Sequence, residues 1–557
     1  MKNILFLSFA IFSLSISQNT ISSDSINQLN EIEIIYKAHK FSPITYQNIS
    51  RLEIEELSIG QEPALFFSNT PSIISHSDAG HTQGYSYFTL RGIDQTRINI
   101  TLDGVPLNDP ADQAFYFSNY ADILNSIEKR TAEYSKIAKN IWEYAEVGYK
   151  EEKSSKELIN LLEKNGFKIN KGVAGIPTAF VAEYNRGGSV IGILGEYDAL
   201  PGLSQTTSTK KTKREGTNSG HACGHNLFGV ASAAAAISIK EWLDDSKKEG
   251  TVRFYGCPAE EGGSGKVYMV REGLFDDVDV ALHWHPSGSN AANASSSLSN
   301  KTGKFRFYGK SAHAASAPDQ GRSALDGLEA MNHMINMMRE HVEEESRIHY
   351  VITKGGDAPN VVPNFTEGYF YVRHPDPEQV REMWERVVLA AQGAAMGTET
   401  TVEYEVTGGV YNILPNETLQ KIIHDKLETV GGVYYDEDEK KYAEEISLTL
   451  KKRVSLSSSE EVMPYKVINS TKGGGSTDVG DVSWAVPTAG FRTATYVPGT
   501  PGHSWQAASC TGTTIGFKGM INAAKTLALS TKHLLENPSD IEKAKIEFED
   551  KRGKDYI

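Results

Sequence analysis

The sequence predicts an α/β fold interrupted by an inserted β-α-β-β-α-β domain and preceded by a small α+β block. Three observations carry this. Between residues 129 and 301, short apolar runs (SVIGIL at 189–194, then TVRFYGC and DVALHWH) alternate with helix-spaced segments. Continuous apolar runs are what strands buried on both faces require. From about residue 302 to 408 the order changes to strand, helix, two strands, helix, strand, the ferredoxin-like split unit. Residues 19–128 differ again, with strand-like alternation and turn signals.

Taken in order, residues 1–18 (MKNILFLSFAIFSLSISQ) place Lys2 before an apolar run too short to span a bilayer, which reads as an export signal. The 19–128 block contains the alternating LNEIEIIYK, a helix-like ISRLEIEELSIGQEPALFF, and two β-rich runs with a turn at Asp103-Gly104. KRTAEYSKIAKNIWEYAEVGY and EEKSSKELINLLEKNGF have helical spacing and open a first α/β segment, 129–301. In the 302–408 insert, GKFRFYGKSAH, RIHYVITKGG, TEGYFYVRHP and TTVEYEVTGG are strands. GRSALDGLEAMNHMINMMREHV and DPEQVREMWERVVLAAQGAAMG are its helices. A second α/β segment follows at 409–535. Within it, residues 432–475 are polar and rich in Ser and Gly, and read as an excursion with a long exposed loop. The charged tail, 536–557, reads as a solvated helix.

A chain of 557 residues with 39% hydrophobic and 23% charged residues is globular rather than disordered or polytopic. Its net charge of −15, without a long basic block, argues against nucleic-acid partners. The basic loop at 210–214 reads as solvated. Three cysteines, Cys223, Cys257 and Cys510, do not make a disulfide scaffold.

The residues that carry chemistry sit at strand ends. GEYDALPG holds Glu196 and Asp198, GHACGHN holds His221, Cys223 and His225, and CPAEEGGSGK holds Glu260 and Glu261. LHWHP holds His283 and His285, STDVGDVSW holds Asp478 and Asp481, and GTPGHSW holds His503. A thiolate and an imidazole two residues apart suit a borderline divalent metal. Paired carboxylates can divide labour, one on metal and one as base. Taken singly, each motif is more often structural: a His–Cys pair packs in a core, and adjacent Glu residues form a solvated corner. Their joint recurrence at carboxyl ends of apolar strands, where α/β folds gather ligands, favours a site.

Two resemblances follow from these motifs. Residues 50–128 resemble the plug domain of TonB-dependent outer-membrane receptors, on LRGI at 90–93, Gln95, Arg97 and LDGVPLND at 102–109. The residues after 128 lack the tandem strands of a receptor barrel. Residues 129–535 instead resemble the amidohydrolase branch of the aminoacylase/carboxypeptidase-type metallopeptidases, of the aminobenzoyl-glutamate hydrolase B-subunit type. The match rests on GEYDAL, GHxCGHN, EEGGSGK, WHP, SAHAA, PNVVP, STDVGDVSW and GTP-x-H-x-W.

This resemblance implies a hydrolase with two divalent ions, Mn or Zn, cleaving aminobenzoyl-glutamate or a related N-acyl amino acid or dipeptide. It implies Cys223, His225, Glu261, His285 and His503 as metal ligands, with His283 the alternative to His285. Glu260 is implied as general base and acid, and Asp198 as the residue orienting a ligand. His313 is implied as an oxyanion-stabilising histidine reaching the partner's site. Asn360 and Arg373 look placed for the substrate carboxylate, as Arg matches a carboxylate bidentately. The wider family has His where Glu196 stands. The insert implies a homodimer formed through the lid. The rival readings are a truncated receptor, acting as a binding or transport module, or a non-functional fusion product; outer-membrane receptor partners are not expected. The export signal predicts a periplasmic enzyme, with the cytoplasm as alternative.

Overall fold

The computed structural model describes residues 72–77, 86–94, 98, 101–102, 105–106, 118–468 and 474–553. The export signal read at 1–18 and the helix read at 49–67 lie outside the described residues. The chain divides into two compact units, 1–118 and 119–557. In the first, strands Ile73–Ser77, Ser86–Leu90 and Ile93–Asp94 form an antiparallel sheet, with Ile73 opposite Leu90 and Leu90 opposite Ile93. The LRGI motif supplies its tight turn, with both Arg91 and Gly92 at positive φ. Thr101–Leu102 pairs antiparallel with Val105–Pro106, while the turn read at Asp103-Gly104 lies outside the described residues.

The helix Ser118–Lys129 leads into the second unit. Ile123 and Ile127, four apart on one face, are buried in the main apolar core. The Ser126 hydroxyl donates to Glu241 Oε2 at 2.6 Å, and the Ser238 hydroxyl to the Ile123 carbonyl at 2.8 Å. The sequence reading ends the N-terminal block at residue 128; the structure gives residues 119–128 to the larger unit, because these isoleucines fill its core.

Helices α1 (Thr131–Tyr144) and α2 (Glu152–Lys164) follow, then strands β1 (Lys168–Lys171), β2 (Phe180–Asn185) and β3 (Val190–Glu196). Helix α3 (His225–Ser246) leads to β4 (Thr251–Cys257) and β5 (Val280–Ser287). The insert comprises β6 (Ser299–Tyr308), α4 (Ala324–Met338), β7 (Arg347–Lys354), β8 (Phe365–His374), α5 (Pro377–Gly397) and β9 (Thr401–Val410). The chain closes with α6 (Glu417–Val430), α7 (Glu437–Leu448), β10 (Thr488–Ala494), α8 (Thr514–Glu536) and α9 (Pro538–Arg552).

The main sheet runs β10-β5-β3-β4-β2-β1. Its first four strands are parallel, and β2 and β1 are antiparallel additions. Alternate residues enter different cores. Ile191, Ile193, Phe254, Leu282 and Trp284 join the cluster under α3 and α8, whereas Leu194, Tyr255, Cys257 and Ala281 join a cluster containing Met269, Val479 and Val482. Burial on both faces is why these strands read as unbroken apolar runs. The insert is a four-stranded antiparallel sheet in the order β7-β8-β6-β9, with a separate core made by α4 and α5.

Two expectations are corrected. Residues 432–475 are not merely an exposed loop: Val433, Tyr435, Ala443 and Ile446 pack with Tyr496 and Cys510 in a core of their own. Helix α7 opens with a capping box between Asp436 and Glu439. The charged tail is not a solvated helix either. Ile541, Ala544 and Phe548 of α9 are buried, and the first two enter the main core. Spacings of three and four put them on one face, outvoted in composition by charges on the other. Among the described residues, no helix is long and apolar enough to cross a membrane.

Candidate metal centre

The carboxyl ends of the parallel strands converge on one cavity of about 570 Å3. Glu196 ends β3, Glu260 and Glu261 follow β4, and His285 lies near the end of β5. Gly224 turns the chain at φ +85° just before α3, which begins at His225. A Cβ at Gly224 would lie 2.7 Å from Pro286, so only glycine lets Cys223 and His225 approach the end of β5. Ala259 and His503, both at positive φ, turn the loops that carry Glu260 and the late histidine.

Three groups of potential ligands have their donor atoms within 4.8 Å of one another: Cys223, His225 and His285; Cys223, Glu261 and His503; and Glu196, His225 and Glu260. Cys223 belongs to two groups, so one sulfur stands between two candidate ion positions. Cys223 Sγ is 3.3 Å from His285 Nε2, and His503 Nε2 is 3.3 Å from Glu261 Oε1. His225 Nδ1 donates to Asp198 Oδ1 at 2.8 Å, and Asp198 Oδ2 accepts the Glu261 backbone N–H at 2.9 Å. His285 Nδ1 donates to the Pro286 carbonyl at 2.8 Å. In both histidines this leaves Nε2 as the lone-pair nitrogen, the tautomer a metal needs.

The electrostatics fit a cation. Glu196 Oε2, His225 Nε2 and Glu261 Oε1 are buried without a well-aligned hydrogen bond: Glu196 Oε2 faces His225 Nε2 at 3.0 Å, and Glu261 Oε1 faces His503 Nε2 at 3.3 Å, an arrangement buried polar atoms rarely tolerate. Burial would lower the His225 pKa, but Cys223, Glu196 and Asp198 outweigh it and hold it well above the ordinary value. Burial pushes the Cys223 thiol up, and Glu261 and Glu260 add to this. Burial, Glu196 and Asp478 lift Glu260 well above the carboxylate range. A cluster that retains protons this strongly lacks positive charge, which divalent ions supply.

His283 shares the face of His285 on β5 but joins none of these groups. Its ring lies over Gly490, where a Cβ would come within 2.2 Å of Nε2. His313, Asn360 and Arg373 lie on the insert and are not among the residues lining the cavity. His313 is exposed, and its Nδ1 accepts the backbone N–H groups of Ala315 and Ser316, so the proton is on the free Nε2. His313 bridges to Val361, and the Asn360 carbonyl accepts the Ala314 N–H at 3.0 Å, so SAHAA and PNVVP lie side by side. The Arg373 guanidinium stacks on Tyr371, with a buried, unpaired Nε.

Sequence reasoning missed Lys266. This fully buried ammonium contacts Glu196 Oε1 at 2.6 Å and Asp478 Oδ1 at 2.7 Å, while its backbone N–H donates to Asp478 Oδ2. The other Glu196 oxygen is 3.0 Å from His225 Nε2. Lys266 lies within EEGGSGK and Asp478 within STDVGDVSW, so the motifs held the signal, but a lysine beside glycines reads as surface. Tyr496 was missed too; its hydroxyl donates to the Cys223 carbonyl at 2.5 Å.

An α/β sheet gathering a thiol, three imidazoles and paired carboxylates at its strand ends defines a metal-dependent hydrolase. The model of peptidase family M20/M25/M40 matches residues 192–508, and that of the TonB-dependent receptor plug domain matches residues 38–132. The B subunit of p-aminobenzoyl-glutamate hydrolase from Escherichia coli (strain K12) is 41% identical over 441 residues, covering 74% of this chain and 92% of that protein. The Xaa-Arg dipeptidase of Mus musculus is 29% identical over 436 residues, 76% of this chain and 90% of that protein. Among solved structures, an aminobenzoyl-glutamate utilization protein from Klebsiella pneumoniae matches with a TM-score of 0.51 at 15% identity, over 73% of this chain and 97% of that one. A dinuclear metal-binding peptidase of the M20 family from Bacillus subtilis matches with a TM-score of 0.50 at 17% identity, over 73% and 99%. The chain belongs to peptidase family M20/M25/M40 and is a hydrolase of that family.

Proposed function

We propose that the protein hydrolyses the amide bond of an N-acyl amino acid, with aminobenzoyl-glutamate the leading substrate, at a centre of two divalent ions. The observation that carries this is the shared Cys223 sulfur between two ligand groups, set beside Glu260. Cys223 would serve both ions, His225 and His285 one, and Glu261 and His503 the other. Such ions, manganese or zinc, supply Lewis acidity toward water and carbonyl. Asp198 orients His225 through Nδ1. Glu260 takes a proton from water as its oxygen bonds the carbonyl carbon, and gives a proton to the nitrogen as the C–N bond breaks. The His313 Nε2–H donates to the carbonyl oxygen, and Asn360 and Arg373 hold a substrate carboxylate. Glu260→Gln is the test: the variant should keep its metal and lose about 10²–10⁴-fold in kcat. Near-normal turnover would remove Glu260 from this role.

His313 lies away from the cavity of its own chain, which supports a homodimer in which each lid serves the other protomer. A second pairing is supported by the name of the 41% identical relative, the B component of a hydrolase; the A component of the same E. coli hydrolase is itself 26% identical to this chain over 268 residues. Sedimentation of the purified chain separates the two: a dimer with full activity supports the first, and a monomer activated only by a chain of the A type supports the second. The apolar run after Lys2 supports a periplasmic location. A signal-cleaved form in the periplasmic fraction would bear this out, and an uncleaved cytoplasmic protein would oppose it.

A further inference from the structure

The wall of the cavity carries charge of the opposite sign to its floor. Arg492 of β10 is directly opposite His285 of β5 in the parallel register, as Gly490 is opposite His283. Paired residues on neighbouring strands share a face, so the guanidinium leaves the sheet on the side of the metal cluster. Ala489 and Phe491, its alternates, enter the core on the other side. The Arg492 backbone is fixed by two hydrogen bonds with Ala291, at 2.8 and 3.0 Å. Among the described residues, no carboxylate lies within ion-pair distance of its side chain. Lys466, placed by its backbone N–H to Asn293 Oδ1, is the second cation lining the cavity and is likewise without a carboxylate partner among the described residues. Other cations of this unit do have one: Arg253, Lys266, Lys518, Lys545 and Lys551 all pair with acids.

We propose that Arg492, assisted by Lys466, receives the side-chain carboxylate of the substrate, leaving the α-carboxylate to Asn360 and Arg373, and makes the site selective for N-acyl derivatives of dicarboxylic amino acids over dipeptides ending in a basic residue. The inference rests on the amidase reading for the position of the scissile bond, and adds which residues choose the substrate. A guanidinium beside His285 can form a forked pair with the side-chain carboxylate of a substrate whose amide lies at the metal cluster. A substrate guanidinium or ammonium would meet like charge there and lose its hydration for no partner.

The test uses the full chain with its metal and two readouts. In steady-state hydrolysis of aminobenzoyl-glutamate, Arg492→Gln should raise KM by about 10- to 100-fold with kcat changed far less, the loss expected for a charge-assisted pair. Lys466→Gln should raise KM by a smaller factor, and Arg492→Lys should recover part of the loss. In calorimetric binding of glutarate, a dicarboxylate without an amide, the Arg492→Gln protein should bind at least about tenfold more weakly than wild type. Equal glutarate affinity for both proteins, or an Arg492→Gln loss confined to kcat, would overturn the proposal. If wild type cleaves no N-acyl amino acid, the amidase reading fails, while glutarate binding still decides whether Arg492 is a carboxylate site. As the side chain is exposed and unpaired, unchanged thermal unfolding of the variants is expected.

Discussion

Replacing Lys266 by methionine removes the only positive charge from a buried trio. The Lys266, Glu196 and Asp478 side chains are at most 2% exposed, and both ion contacts are 2.7 Å or shorter. Methionine matches the length of the lysine stem but leaves two carboxylates facing each other in the core. Breaking a buried ion pair by removing one partner costs about 3–5 kcal/mol, because the remaining charge is buried and uncompensated. Two stranded carboxylates put this case at the upper end, about 5 kcal/mol. Urea unfolding of the full chain, at equal metal content, should show a loss of that order. The triple variant Lys266→Met, Glu196→Gln, Asp478→Asn carries no stranded charge and should return to within about 1–2 kcal/mol of wild type. A Lys266→Met protein within about 1 kcal/mol of wild type would refute the assignment of Lys266 as the compensating charge.

His285→Ala should lower metal occupancy more than His283→Ala, since only His285 joins a ligand group; elemental analysis of both proteins decides, and a larger loss at His283 would reverse the assignment. Removing residues 19–117 should leave kinetics unchanged, whereas removing 19–128 takes Ile123 and Ile127 from the core, each worth about 1.5–3 kcal/mol of burial; equal stability of the two truncations, read by thermal unfolding, would oppose the boundary placed at 118. If His313 acts on the partner's site, mixing inactive His313→Ala and Glu260→Gln homodimers under exchange should restore activity; no recovery would keep His313 out of a trans role.

The legible parts of the molecule are those where one physical rule acts alone. Residues 190–194 and 280–282 are apolar because both faces of their strands are buried, so the sheet was readable from SVIGIL and DVALHWH. The cluster was readable because Cys223, His225, Glu260 and Glu261 sit at strand ends with few other uses for that chemistry. Between His283 and His285 the strand period of two is silent, and what separates them is tertiary: Gly490 leaves room for the His283 ring, while Gly224 lets Cys223 and His225 approach the end of β5 beside His285. Helices α7 and α9 were misread because their charged faces dominate composition, though Ala443 and Ile446, or Ile541, Ala544 and Phe548, repeat at helical spacing. Lys266 and Arg492 were hidden for opposite reasons. A buried lysine is exceptional, and its partners are 70 and 212 residues away. An exposed arginine is ordinary until the sheet register sets it beside His285.

The central claim is that a single thiolate organises a two-ion hydrolase, and metal stoichiometry of the Cys223→Ala variant tests it most directly. Wild type should hold about two ions per chain and cleave aminobenzoyl-glutamate. Because Cys223 belongs to two of the three ligand groups, the two assigned to the ions, its removal should empty both positions together and abolish turnover. A variant that keeps one tightly bound ion, or retains wild-type turnover, would contradict the account.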